Sequence, residues 1–189
     1  MSLPAVCRMH VLGMPGSGKT WLARKTASLM QIPCYELDKT AYEHGCGQRR
    51  EDAMRREDIE KIVCQAGWVT EGVYLTWTGA LLDAADIIVW LDMPPALCWR
   101  RIVFRHILAD LKRDQAFPGV LNMLKFAAGV WPWYYGELPA ELPGWESDQS
   151  SRALAEHYLA CRQDKLLRLS RPREVKQLLH HLQSAHLPA

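Results

Sequence analysis

A glycine-rich segment near the amino terminus constrains the fold more than any other part of the chain, and its residues are Gly13, Met14, Pro15, Gly16, Ser17, Gly18, Lys19 and Thr20. Glycine, four variable positions and Gly-Lys-Thr form the pattern of a phosphate-binding loop, which joins a strand to a helix. Its glycines let the backbone curl until successive N–H groups point inward and bind anions. Lys19 then places a positive charge against the β- and γ-phosphates, and the Thr20 hydroxyl can coordinate Mg²⁺. The segment predicts binding of a nucleoside triphosphate such as ATP, together with Mg²⁺.

The residues on either side of this loop agree with that prediction. Residues 9–12, Met-His-Val-Leu, form a short and mostly apolar run that suits a buried strand. After the loop, Ala23, Ala27 and Met30 follow helical spacing. An ordinary glycine-rich turn would need neither lysine followed by threonine nor a helix that begins there.

The remainder of the chain alternates between short apolar runs and helical patterns. Strands are expected over residues 8–12, 34–37, 69–71, 87–91 and 166–169, with helical segments between most of them. This alternation favours a parallel sheet with helices on both faces, because right-handed crossovers place them there. We therefore predict an α/β, three-layer P-loop NTPase fold, in which the loops that follow the strands meet at one edge of the sheet.

Acidic residues follow or close three of the expected strands. These are Asp38, Glu71 and Asp92. A carboxylate at this edge can hold the water shell of Mg²⁺ or orient a phosphoryl acceptor, and Gly72 permits a close approach of backbone to substrate. The metal-binding candidates are therefore Thr20, Glu71 and Asp92. The alternative is that Glu71 and Asp92 only cap a following helix or turn, which the prolines after Asp92 also favour.

Length, charge and hydropathy set broader bounds. The chain has 189 residues, so residues 1–189 are expected to form one domain. A net charge of +2 is too small to indicate direct nucleic-acid binding. No apolar stretch reaches the roughly 18 residues of a membrane helix, and the first residues lack the pattern of a secretory signal. We expect a cytoplasmic protein without a membrane partner.

Two groups of arginines stand out along the chain. The first group lies on a charged stretch and consists of Arg49, Arg50, Arg55 and Arg56. A solvated helix face accounts for these residues as well as any binding role does. The second group includes Arg101 and Arg105, which share one helix face because they are four positions apart.

The residues from Asp92 to Arg105 carry a family resemblance. Asp92-Met-Pro-Pro-Ala-Leu97, continued through Arg101-Ile-Val to Arg105, resembles the strand end and lid entry of adenylate-kinase-like nucleoside monophosphate kinases. In that family the two arginines grip the transferring phosphates. The resemblance implies this role for Arg101 and Arg105, and it implies a lid over residues 106–150.

A narrower resemblance involves four further segments. Residues 35–38, 68–74, 85–92 and 169–175 look like the bacterial DNA topology modulation proteins, which are adenylate-kinase-related P-loop proteins. Two departures are Glu71, where that family has aspartate, and Val73, where it has asparagine. The resemblance also implies that the turn formed by Ser170, Arg171 and Pro172 borders the adenine.

Residues 106–150 are predicted to form a lid or a helical insertion. An apolar segment over residues 120–130 is followed by Trp-Pro-Trp-Tyr-Tyr at residues 131–135. A tryptophan-rich patch of this kind is more typical of a core or an oligomer contact than of base stacking. Residues 137–144 are predicted to form a loop because they contain two prolines and end in glycine.

Together these observations predict transfer of the γ-phosphoryl group of ATP to a small acceptor, with nucleotides and nucleosides among the candidates. The catalytic candidates are Lys19, Arg101, Arg105 and Asp38, and the acceptor-side candidates are Asp38, Glu71, Gly72 and Tyr74. Asp38 would receive or orient an acceptor hydroxyl. A second hypothesis is a nucleotide-binding regulatory module with weak or no kinase activity. The residues leave the acceptor and the oligomeric state open.

Overall fold

A parallel sheet forms the centre of the protein in a computed structural model that describes residues 8–111 and 120–186. Within these residues the strands are β1 (Arg8–Gly13), β2 (Cys34–Glu36), β3 (Trp68–Gly72), β4 (Ile87–Leu91) and β5 (Leu166–Leu169). Their order across the sheet is β2-β3-β1-β4-β5, and every neighbouring pair is parallel. The expected strands are confirmed, with boundaries that differ by no more than one residue.

Helices cover both faces of the sheet. They are α1 (Lys19–Met30), α2 (Leu37–Ala41), α3 (Asp52–Val63), α4 (Gly79–Ala84), α5 (Pro95–Leu111), α6 (Val120–Ala128), α7 (Val130–Tyr135), α8 (Arg152–Leu159) and α9 (Pro172–His186). Two layers of helices around one sheet give the three-layer α/β fold that the sequence predicts.

Two apolar cores, one on each face, hold these layers together. Along β4, Ile87, Val89 and Leu91 pack into the first core, whereas Ile88 and Trp90 pack into the second. Successive strand residues point to opposite faces, so a strand that is apolar throughout is buried on both sides. Helices α1, α5, α6, α7 and α9 contribute to the first core, and α2, α3, α4 and α8 contribute to the second.

The region predicted as a lid is largely helical. Helix α5 continues to Leu111, and α6 and α7 pack against it. Trp133 of α7 is buried in the first core, whereas Trp131 and Tyr135 are exposed and stack on each other. The tryptophan-rich patch is thus partly core and partly surface. Residues 112–119 of the predicted lid lie outside the described residues.

Residues 136–151 connect the two faces of the molecule, and we call them the crossing segment. They begin after α7, which packs in the first core, and they end at Ser151, whose side chain accepts a hydrogen bond from the backbone N–H of Leu154 and so caps α8. Between these points Trp145 packs against the second core. The crossing segment therefore brings its side chains close to α3 and to the loop after β3.

No helix within residues 8–111 and 120–186 is both long enough and apolar enough to span a lipid bilayer.

Candidate active site

The phosphate-binding loop has a backbone that requires glycine at two positions. Gly16 and Gly18 have φ angles of 79° and 99°, in the left-handed region that side chains disfavour. A Cβ added to Gly16 would also lie 2.5 Å from the carbonyl oxygen of Cys98 in α5. The loop therefore packs directly on the first turn of α5, and α1 begins immediately after Gly18.

Lys19, Thr20 and Glu71 converge at the end of this loop. The Thr20 hydroxyl donates a 2.9 Å hydrogen bond to Oε1 of Glu71, and the Lys19 Nζ lies 4.0 Å from Oε2. The sheet brings these residues together, because β1 and β3 are parallel neighbours with Val11 opposite Glu71. The strand-end location predicted for Glu71 thus places it beside the loop.

The carboxylate of Glu71 is buried, with 3% of the residue exposed. Its Oε2 atom has no hydrogen-bond partner among residues 8–111 and 120–186. Burial raises the pKa of Glu71, and the neighbouring Lys19 and the hydrogen bond from Thr20 only partly oppose that effect. The Glu71 carboxylate and the Thr20 hydroxyl supply hard oxygen donors side by side, and Mg²⁺ prefers such donors.

Two arginines of α5 face the loop from its other side. Nη1 of Arg101 donates to the backbone oxygen of Ser17 at 2.8 Å and to that of Gly16 at 3.4 Å. Arg101 and Arg105 also line a cavity of about 580 Å³, together with Lys19 and Thr20. Arg101 and Arg105 thus lie on one face of α5, as their spacing predicts, and both side chains point toward the phosphate-binding loop.

The turn after β5 lies next to the same loop. Pro172 and Arg101 line a second cavity of about 320 Å³, which also reaches Gly18. The backbone N–H groups of Ser170 and Arg171 donate to the carboxylate of Glu174, at 2.8 and 3.0 Å. The three residues predicted to border the adenine therefore form a fixed turn beside the loop.

Asp38 and Tyr74 form the centre of the predicted acceptor side. The Tyr74 hydroxyl donates a 2.7 Å hydrogen bond to Oδ1 of Asp38. Tyr74 is buried, whereas Asp38 is exposed. Burial and the Asp38 carboxylate together raise the pKa of Tyr74. At Gly72 a Cβ would lie 3.0 Å from the Tyr74 ring, so glycine lets the ring pack against the end of β3.

Asp92 lies at the predicted edge, but two arginines hold its carboxylate. Arg152 of α8 donates to both of its oxygens, the shortest distance being 3.0 Å. Arg168 of β5 donates to Oδ2 at 3.0 and 2.5 Å. Only 5% of Asp92 is exposed. These contacts tie α8 and β5 to the end of β4 and give Asp92 a structural role that its sequence position did not reveal.

A second cluster of charges lies beside Tyr74, and the sequence did not predict it. Arg55 of α3 is fully buried, and its guanidinium lies 4.8 Å from the ring of Trp77 and 4.9 Å from that of Trp145. It donates to Asp52 at 2.5 Å and to Asp148 of the crossing segment at 3.2 Å. A solvated helix face does not describe Arg55. No motif marks Asp148, because its partners lie far away in the sequence.

The sequence matches no protein-family model and no curated protein. The resemblance to DNA topology modulation proteins is therefore not confirmed.

Solved structures match in fold. Shikimate kinase from Acinetobacter baumannii, in complex with shikimate, gives a TM-score of 0.50 at 12% identity, over 98% of this chain and 100% of that chain. Shikimate kinase from Bacteroides thetaiotaomicron gives a TM-score of 0.49 at 15% identity, over 94% of this chain and 96% of that chain. A gluconokinase from Sinorhizobium meliloti gives a TM-score of 0.47 at 12% identity, over 95% of this chain and 90% of that chain. The match to the Acinetobacter baumannii protein, together with the five-stranded parallel sheet, shows that this chain shares the α/β fold of that kinase.

Proposed function

We propose that this protein is a kinase that transfers the γ-phosphoryl group of ATP to a hydroxyl group of a small acceptor. The observation that carries the proposal is the contact of Thr20 and Lys19 with the buried carboxylate of Glu71 at the mouth of the phosphate-binding loop. That arrangement joins an anion-binding backbone to a cation-binding set of oxygens. A nucleoside triphosphate with Mg²⁺ needs both.

Separate parts of the loop region would hold the donor. The backbone N–H groups that follow Pro15 in the loop and the Lys19 ammonium would bind the phosphates, and Pro172 would lie near the base. Thr20 and Glu71 would hold Mg²⁺, which when bound neutralises charge on the phosphates. Asp92 has no part in this proposed metal site, because Arg152 and Arg168 hold both of its oxygens.

Phosphoryl transfer needs an activated acceptor and stabilisation of negative charge. Asp38 would accept the proton of the acceptor hydroxyl while the acceptor oxygen forms its bond to the γ-phosphorus. The bond from that phosphorus to the β,γ-bridging oxygen breaks, and ADP leaves with the bridging oxygen. Arg101 and Arg105 would stabilise the charge that develops on the phosphates. The hydrogen bond from Tyr74 holds Asp38 in place for the proton transfer.

The test is ADP production measured with a panel of acceptors that contains nucleosides, nucleoside monophosphates, small alcohols, shikimate and gluconate. At least one compound is expected to raise ADP production above the rate with ATP alone. In Lys19→Ala that acceptor-dependent rate should fall roughly 100-fold, because a charge that stabilises the transition state is lost. Lys61→Ala is the matched control, since Lys61 is exposed and pairs with Glu57 on α3, away from the loop.

A regulatory module without kinase activity is the alternative. It would bind ATP with Mg²⁺ in calorimetry, but no member of the panel would raise ADP production. Absence of ATP binding by folded protein would contradict both functions.

A further inference from the structure

The charge cluster around Asp148 lies against the proposed acceptor site. The rings of Tyr74 and Trp77 are 4.7 Å apart, and the indole N–H of Trp77 donates to Asp148 at 3.0 Å. Tyr42 donates its hydroxyl proton to the same carboxylate at 2.9 Å. Any acceptor that reaches Asp38 and Tyr74 therefore meets the electrostatic field of this cluster.

The arginines of this cluster are already neutralised. Asp148 accepts from Arg49 at 3.2 Å and from Arg55 at 3.2 Å. Asp52 accepts from the same two arginines, at 2.9 and 2.5 Å. The charges of Arg49 and Arg55 are therefore balanced by two carboxylates, so these two arginines offer no net positive charge to an anionic ligand. The exposed Arg56 stacks on Trp145, with its guanidinium 4.1 Å from the ring centre.

Three further basic side chains, on or beside α2, are also paired with acidic groups. Arg50 lies 2.6 Å from Asp58 and 3.6 Å from Glu43. Arg24 and Lys39 both contact Glu36, at 2.5 and 3.7 Å. Hydrogen bonding to Glu36 raises the pKa of Arg24.

Asp148 cannot easily give up its place to an incoming anion. Four donors hold its carboxylate, and the crossing segment is fixed beside it, because Thr76 donates to the backbone oxygen of Ser147. Trp145 covers one face of the buried Arg55. Removing one partner from a buried ion pair is strongly unfavourable, so a phosphate or carboxylate would have to displace this carboxylate at high cost. An anion that did not displace it would meet its repulsion.

We propose that the acceptor is an uncharged hydroxyl compound, such as a nucleoside or a polyol, and that Asp148 excludes acceptors that carry a phosphate or a carboxylate. This inference rests on the proposed function and adds the chemical class of the acceptor. Asp38 and Tyr74 would recognise the hydroxyl group of the acceptor. The ion-paired arginines would present a surface without net positive charge to the remainder of the acceptor.

The first test compares matched acceptors with the wild-type protein. The pairs are adenosine with AMP, glucose with gluconate, and glycerol with glycerol 3-phosphate, and the readout is acceptor-dependent ADP production. In every pair that reacts, the uncharged member is expected to have a kcat/KM at least about tenfold higher, because like charges repel across the site. A higher value for the anionic member would overturn the inference and leave the proposed kinase function standing.

The second test uses Asp148→Asn, which removes one negative charge and keeps the shape of the side chain. The preference for the uncharged member should shrink about tenfold, because Arg49 and Arg55 gain a net positive charge. Asp83→Asn is the matched control, since Asp83 also pairs with an arginine, Arg162, but on the surface. An unchanged preference in folded Asp148→Asn would remove Asp148 from the proposal.

The two tests separate failure of the inference from failure of the function. If Asp148→Asn does not fold, the wild-type comparison decides alone. If no compound of any pair or of the wider panel raises ADP production although ATP binds, the kinase function itself fails, and the acceptor class fails with it.

Discussion

The Thr20 hydroxyl lies 2.9 Å from the carboxylate of Glu71, a residue 51 positions later in the chain. The contact exists because β1 and β3 are parallel neighbours whose carboxyl ends meet at one edge of the sheet. It joins the end of the phosphate-binding loop to a buried acidic group, and it is the feature of the site most open to a direct test.

Replacement of Thr20 by valine should weaken magnesium-dependent ATP binding. The variant loses one oxygen donor of the proposed metal site and one hydrogen bond to a charged group, so the Mg²⁺ concentration for half-maximal binding should rise about tenfold. Calorimetric titration of Mg²⁺ in the presence of ATP measures the change. Thr26→Val is the matched control on the same helix, because the Thr26 hydroxyl is buried and has no hydrogen-bond partner in the described part of the chain. Equal Mg²⁺ dependence of the two variants would contradict the metal site.

Replacement of Asp92 by asparagine should destabilise the fold without changing magnesium binding. Asp92 is almost fully buried and holds two guanidinium groups, so removal of its charge should lower the free energy of unfolding by about 2–3 kcal/mol. Denaturant unfolding measures this effect. Asp83→Asn should cost less than about 1 kcal/mol, because Asp83 is 68% exposed in its ion pair with Arg162. A raised Mg²⁺ requirement in Asp92→Asn would restore Asp92 as a metal ligand.

His10 should make the protein less stable in acid. Full burial lowers the pKa of His10 from 6.5 to about 4, so between these values the unfolded chain binds a proton that the folded chain does not. The free energy of unfolding should therefore fall as the pH falls through this window, by roughly 3 kcal/mol in total. Denaturant unfolding at about five pH values between 7 and 4 measures how the free energy of unfolding depends on pH.

The contribution of His10 can be isolated by comparing slopes. His10→Gln should flatten the pH dependence over that window, whatever its effect on stability at pH 7. Gly79→Ala is the control, because it changes no titratable group and should therefore retain the wild-type slope. Parallel slopes for the wild-type protein and His10→Gln would refute the assignment.

Two glycine-to-alanine variants should have opposite effects. Gly16→Ala combines a left-handed φ of 79° with a contact of 2.5 Å to the Cys98 oxygen, so it should cost at least about 2 kcal/mol and abolish ATP binding. Gly79→Ala should stabilise by up to about 1 kcal/mol, since alanine restricts the unfolded chain. At Gly79, which begins α4, an added Cβ would have no atom of the described residues within 4 Å. Thermal unfolding and ATP titration measure the effects of both variants. If Gly16→Ala left stability and ATP binding unchanged, the close packing of the loop on α5 would be refuted.

The sequence predicted the parts of the structure that local patterns encode. The loop after β1 follows from eight consecutive residues, and the strand β4 follows from an apolar run that ends in Asp92. Because the carboxyl ends of parallel strands share one edge, the approach of Glu71 to the loop could also be predicted.

Contacts between distant segments could not be predicted in this way. Asp148 and Arg55 are 93 positions apart, and the path of the crossing segment, which no local pattern defines, brings them together. Its position at the end of a strand made Asp92 a candidate metal ligand. That position alone does not show which cationic side chains surround the carboxylate in the folded protein. Arg168 and Arg152 reach it only once β5 and α8 have packed.

The burial of Arg55 has a consequence for how this chain can diverge. Its charge is balanced by Asp52 on the same helix and by Asp148 on a remote segment, and indole rings enclose it. Loss of either acidic partner leaves the buried Arg55 guanidinium with only one carboxylate to balance it. Homologues that change one of the three positions should therefore change a second, and such paired substitution would trace the contact between α3 and the crossing segment through evolution.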